Sequence, residues 1–138
     1  MCKVGDIILV NNYKHGDIVL SKHSFVVLDT DGGEIYGMEY DMVCNVMSSF
    51  YSQEQEEKKL SYSGNFGVKS NEMNTKPHNG KNAYIKANQM YYFKQDQIQF
   101  RVIGNLEPET METLVGYINE LAEAEQVYNI TDNLQSDK

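Results

Sequence analysis

A lysine, a histidine and two hydroxyls stand together in Ser21-Lys22-His23-Ser24, directly ahead of the apolar run Phe25-Val26-Val27-Leu28. Free imidazole titrates near pH ~6.5, so a histidine such as His23 is equipped to give or take a proton at neutral pH. An apolar run with two valines predicts a strand buried on both faces, or the middle of a small barrel. A buried strand holds its first residues rigidly, and proton transfer requires that of the groups placed there. The same residues also fit a plainer reading, a half-exposed histidine and lysine at a strand edge.

A second set of side chains lies in residues 52–82, where aromatic and basic residues interleave. They are Tyr62, Phe66, Lys69, Lys76, His78 and Lys81, with Tyr84 just beyond. Nucleobases stack on such rings while cations follow the phosphates, so the stretch is compatible with single-stranded nucleic acid. A mobile loop packing its aromatics against the rest of the domain has the same composition. Metal chemistry has no foothold: two cysteines and three histidines lie far apart, without ligand spacing. There is no phosphate loop, no dinucleotide fingerprint and no nucleophile elbow, so no metal and no cofactor are expected.

The elements that must hold these groups fit into one domain of 138 residues. A chain of that length buries ~68% of its unfolded surface on folding. The net charge of −8 is uneven. Residues 1–50 carry three lysines against seven acids, residues 51–105 eight bases against five acids, and residues 106–138 one base against eight acids. Affinity for phosphate comes largely from lysine and arginine, so only the middle third offers a basic face. Apolar runs such as Ile7-Ile8-Leu9-Val10 fall far short of the ~20 residues that span a bilayer, so no membrane is expected. The first residues lack signal-peptide character. Cys2 and Cys44 read as reduced thiols of a cytoplasmic protein, with a Cys2–Cys44 disulfide the less expected state.

Val4-Gly5-Asp6-Ile7-Ile8-Leu9-Val10 predicts a first strand. Residues 11–21 are polar around Gly16 and predict a loop, with Ile18-Val19-Leu20 extending a strand as the alternative. Residues 29–34 predict a hairpin turn through Gly32 and Gly33. Residues 34–39 then lead into a third strand, and Val43-Cys44-Asn45-Val46-Met47 forms a fourth or continues it. Residues 52–82 show two weak helical turns at most, and such a long connection predicts a functional flap or partial order. Residues 82–86 and 89–93 are further strand material. Ile98, Phe100 and Val102 alternate up to Gly104, which is expected to stop the strand. Pro108 suits the first turn of a helix, and Met111, Leu114, Val115, Ile118, Leu121 and Ala122 recur at helical spacing. The expected fold is mainly β (α+β), a small barrel of roughly five to seven short strands with a C-terminal helix. The domain is expected over residues 1–126 with an insertion at about 52–82, followed by a flexible acidic tail at 127–138.

The order of these pieces resembles the PemK/MazF family of toxin endoribonucleases from toxin–antitoxin systems. Val4-Gly5-Asp6-Ile7-Ile8-Leu9-Val10 is similar to the family's opening Gly-Asp strand. Phe25-Val26-Val27-Leu28 stands where the family has an apolar strand. Ala87-Asn88-Gln89-Met90, Asp96-Gln97-Ile98 and Arg101-Val102-Ile103-Gly104-Asn105-Leu106, with Glu109 and Glu112, resemble its closing strands and helix. The resemblance covers most of residues 3–122 and is poor over 52–82. It implies an SH3-like barrel of the MazF/PemK/CcdB-like kind, often a homodimer, that cleaves single-stranded RNA without metal and is held by a cognate antitoxin.

The family's catalytic pair is an arginine opening the second strand, in an Arg-Pro step, and a hydroxyl residue ending a later strand. The arginine position falls here on His23, with Ser24 in place of the proline. The hydroxyl position falls on Ser48, or on Ser49 with a one-residue slip. The implied chemistry is transesterification, in which the ribose 2′-OH attacks the adjacent phosphorus. His23 suits either proton transfer, Lys22 offsets charge on the phosphate oxygens, and Ser48 or Ser49 hydrogen-bonds the phosphate. Lys69, Lys76, His78, Lys81, Tyr62 and Phe66 are the candidate RNA contacts. Histidine at the arginine slot leaves a second reading open, a barrel of the same fold that has lost cleavage and binds RNA or a protein partner.

Overall fold

The computed structural model describes residues 2–75 and 80–134. Strands β1 (Asp6–Val10), β2 (Tyr13–His15) and β3 (Ile18–Leu20) come first. They are followed by β4 (His23–Asp29), β5 (Gly33–Ile35), β6 (Met38–Tyr40) and β7 (Met42–Ser49). Helix α1 (Gln53–Leu60) precedes β8 (Asn65–Val68), β9 (Met73–Thr75), β10 (Ala83–Lys86), β11 (Gln89–Phe93) and β12 (Phe100–Leu106). Helix α2 (Pro108–Glu123) and β13 (Tyr128–Ile130) follow. The fold is mainly β with two α-helices.

Nine strands form one sheet in the order β13-β11-β7-β4-β1-β12-β9, with β10 also on β7 and β8 on β10. Among the described strands the two ends of this path do not meet, so the sheet is a curled half-barrel. Two bulges help it curl. Ile7 pairs with Gly104 and Ile8 with Val102, leaving Ile103 as an extra residue on β12. Leu28 is likewise extra between the pairs Val27–Cys44 and Asp29–Val43. An extra residue on one strand of a pair bends it and sharpens the local twist.

The central strands are buried on both faces, as the apolar run at 25–28 predicts. Phe25, Val26 and Val27 are fully buried and alternate between two cores. Phe25 and Val27 join Ile8, Val10, Cys44, Tyr91 and Phe93, a core capped by Tyr13 of β2 and by Ile130. Val26 joins Ile7, Met47, Val68, Ile85 and Leu106 beneath Met111, Leu114 and Leu121 of α2. Side chains point to alternate faces of a strand, so one short run serves both layers. Each such burial contributes about 1.5–3 kcal/mol.

Helix α2 begins at Pro108, as expected, with Glu109 in its first turn. Its buried face is not quite the expected stripe. Thr110, Met111, Leu114 and Leu121 are buried and Tyr117 and Ile118 pack partly against them, but Val115 is 40% exposed and Ala122 is exposed. The sheet presses on a face rotated toward Thr110 and Tyr117, so the other side of the apolar stripe faces outward.

Several expectations are corrected. Within residues 11–21 the strand alternative at Ile18-Val19-Leu20 holds and the loop does not: β2 and β3 form a hairpin turned at Gly16-Asp17, with Gly16 at φ +64°. The hairpin turn expected at Gly32-Gly33 lies instead at Tyr36-Gly37, joining β5 to β6 with φ of 51° and 80°. Both central residues at positive φ is the arrangement that matches strand twist, but a tyrosine there carries no sequence signal for it. Gly104 does not stop β12. It lets β9 pass: a Cβ there would collide with the Asn74 carbonyl oxygen and lie 2.7 Å from Thr75 Cα.

Residues 52–75 are not a flap. Ser52 caps α1 by accepting the Gln55 N–H at 3.1 Å, β8 pairs with β10, and β9 pairs with β12. Strands of three or four residues bury one side chain each, Val68 and Met73, which is too few to show a period. The tail is also built in as far as residue 134. β13 runs parallel to β11, and Ile130 and Leu134 are buried. Asn133 accepts the Lys14 N–H at 2.7 Å and donates to the Lys14 carbonyl at 3.0 Å, tying the tail to the β2–β3 hairpin. Among the described residues no helix is long and apolar enough to cross a membrane.

Candidate functional site

His23 opens β4 and pairs with Val10 of β1. On the other side Ser24 pairs with Met47 of β7. One further step along each antiparallel strand sets His23 opposite Ser48, and Ser48 in turn pairs with Tyr84 of β10. Residues opposite one another in a ladder share a face. Val10, His23, Ser48 and Tyr84 therefore form one row across four strands, on the face that holds Phe25 and Val46.

The alternation puts the two serines on opposite faces of the sheet. Ser48 is half-buried on the His23 face, whereas Ser49 pairs with Ala83 on the α2 face and is exposed. His23 is half-buried, with the Tyr13 ring edge-on at 5.8 Å between centroids. Its Nδ1 lies 3.3 Å from the Ser21 carbonyl oxygen. A carbonyl only accepts, so this contact puts a proton on Nδ1 and leaves the Nε2 lone pair of the neutral ring available as a base. His15 is differently engaged: its Nδ1 lies 2.9 Å from the Tyr91 hydroxyl. Burial, then the neighbouring Tyr13 and Asp132, push the Tyr91 phenol well above its ordinary range, so it stays protonated.

Set against family models, curated proteins and solved structures, the chain matches none of them. Its own geometry therefore carries the functional argument.

Lys22 is exposed and lines an open cavity of about 550 Å³ with Asn11, Ile98, Gln99, Phe100 and Arg101. Arg101 was not among the expected site residues. Nothing in the local sequence links it to Lys22; the link is made by β1, whose Leu9 pairs with Ser24 on one side and Arg101 on the other.

Among the described residues, the aromatic members of the expected RNA contacts lie in separate clusters. Phe66 packs toward α2, with its ring 6.0 Å from that of Tyr117. Tyr62 is 48% exposed and belongs to a different cluster, in which Lys59 Nζ lies 5.9 Å from both the Tyr62 and Tyr84 rings. Tyr84 itself is buried and stacks on Phe50 at 5.1 Å. The interleaved aromatics thus divide between the two faces of the sheet, because β8 alternates Phe66 with Gly67 opposite Ile85 and Tyr84. Lys69 is exposed, and its backbone N–H donates to Glu72 Oε1 at 2.8 Å. Lys81 is exposed, and Lys76 and His78 fall outside the described residues.

Among the described residues no three His, Cys, Asp or Glu side chains gather as a metal site would require. Cys2 and Cys44 are free and buried, and burial is the largest cause raising both thiols above their ordinary value.

Proposed function

We propose that this protein is a metal-independent endoribonuclease that cleaves single-stranded RNA through its ribose 2′-OH. In this reading the curled sheet is an SH3-like barrel of PemK/MazF type. The chain works as a cytoplasmic homodimer and as the toxin of a toxin–antitoxin pair. The observation that carries the reading is the register of β4 and β7: their last pair at this end is Ser24–Met47, and the next residues outward are a half-buried histidine and a half-buried serine.

The chemistry follows from those two groups. His23 Nε2 takes the proton of the 2′-OH, and the oxygen attacks the neighbouring phosphorus. A new P–O2′ bond forms as the P–O5′ bond breaks, leaving a 2′,3′-cyclic phosphate and a 5′ hydroxyl that takes its proton from solvent. The Ser48 hydroxyl donates to a non-bridging oxygen as charge develops on it. The Tyr13 edge and the Ser21 carbonyl hold the imidazole in one orientation.

Purified protein incubated with mixed RNA in EDTA tests this directly. RNA should be cut to products ending in cyclic phosphate, and His23→Ala should leave it intact. His23→Arg should not restore cutting, because arginine does not give up its proton. A second reading, a binding module without cleavage, is favoured by the absence of an arginine at position 23. Full RNA binding with no cutting by the wild-type protein would select it.

A further inference from the structure

Arg101 is the only arginine in the chain, and it shares one cavity with Lys22. The lining of that cavity contains two cations, the side-chain amides of Asn11 and Gln99, and no carboxylate. This is unexpected in a chain with 20 acidic against 12 basic residues. No ion pair engages Lys22 or Arg101 among the described residues. Acidic chains ordinarily neutralise neighbouring cations with nearby carboxylates, and here none is supplied.

The cavity lies where β12 meets the ends of β1 and β4, two of the strands that hold the candidate site. Arg101 and Ser24 flank Leu9 on one face of the sheet. The Asn11 N–H donates to the Gln99 carbonyl at 2.9 Å, and Asn11 Nδ2 donates to Gln99 Oε1 at 3.4 Å. Lys22 is the residue before His23, so the cavity lies at the same end of the sheet as the His23–Ser48 pair, with Arg101 on the opposite face from that pair. A guanidinium fork grips two oxygens of one phosphate, and an ammonium adds a point charge to it.

We propose that Lys22 and Arg101 jointly bind one backbone phosphate of single-stranded RNA at the His23 end of the sheet, apart from the phosphate presented to His23 and Ser48. The identity of the ligand rests on the endoribonuclease reading; the anion site rests on the cavity.

The test is binding of a 2′-O-methyl RNA oligonucleotide, which cannot be cut by this chemistry, measured by fluorescence anisotropy in EDTA over a range of salt. Each phosphate neutralised on a single strand contributes about 0.7 to the slope of log K against log salt. The double variant Arg101→Gln/Lys22→Gln should lower the slope by about that amount and no more, since both cations hold one phosphate. Arg101→Lys should keep the slope but bind more weakly. On cleavable RNA, Arg101→Gln should raise KM with kcat within about twofold, as expected when ground-state and transition-state binding fall together. Lys94→Gln, which removes an equal charge from the pair that Lys94 forms with Glu39 at 3.9 Å, serves as control. An unchanged slope in the double variant, an equal fall in Lys94→Gln, or a loss of kcat alone overturns the phosphate site. RNA cleavage with an unchanged slope sinks this inference and leaves the nuclease standing. RNA binding without cleavage, with the slope falling as expected, does the reverse, and no RNA binding at all ends both.

Discussion

Ser48 and Ser49 are chemically identical neighbours, and replacing each with alanine separates what the ladder decides from what composition decides. Ser48 shares a face with His23, while Ser49 points to the α2 side and to solvent. Neither hydroxyl is in a core, so both variants should fold with stability changes within about 0.5 kcal/mol. Their activities should differ. Loss of one donor to a developing oxyanion typically costs ~10²–10³ in kcat where the site is dry. The His23–Ser48 pair is only half-buried, so Ser48→Ala should lose about 10–100-fold, equivalent to about 1.4–2.7 kcal/mol of transition-state stabilisation. Ser49→Ala should stay within about twofold of the wild type, and Ser48→Thr, which keeps the donor, should retain most activity. Single-turnover cleavage of a fluorogenic RNA in EDTA reads all three. Equal losses at the two serines, or full activity in Ser48→Ala, would refute the face assignment and the role of Ser48 with it.

Leu114→Ala removes a fully buried side chain under α2 and should cost about 3–5 kcal/mol, whereas Val115→Ala, 40% exposed beside it, should cost under about 1 kcal/mol by urea denaturation. Equal effects would mean that α2 packs through a different face. Gly104→Ala should destabilise or detach β9, seen as faster amide exchange at Met73 and Thr75, because the added Cβ meets β9 backbone. Unchanged protection there would show that the strands do not touch. Burial raises both thiols, so above the ordinary thiol range near pH ~8.5 the unfolded chain releases these protons before the folded chain does. The native state then holds more protons, and stability should fall as pH rises through that window, less so in Cys44→Ala. Stability that is flat from pH 7 to about 10 would contradict this sign.

What the sequence by itself determines here is written in consecutive residues. The doubly buried strand at Phe25-Val26-Val27 is legible because each residue's neighbours state the alternation, and the start of α2 is legible because Pro108 and the recurrence of Met111, Leu114 and Leu121 lie within one segment. His23 is legible as a candidate because it precedes such a strand. Tertiary structure decides the rest. β2, β3, β9 and β13 have three residues each, too few to display a period, and they exist because longer strands or the folded-back tail offer them partners. Gly104 reads locally as a strand stop, but in the sheet it is the point where another backbone crosses. Ser48 and Ser49 fall on opposite faces through their register against β10, and Arg101 shares a cavity with Lys22 because β1 lies between β4 and β12. Register and strand order depend on pairings between residues distant in the chain, and no local pattern of side chains encodes which partner a strand end will meet.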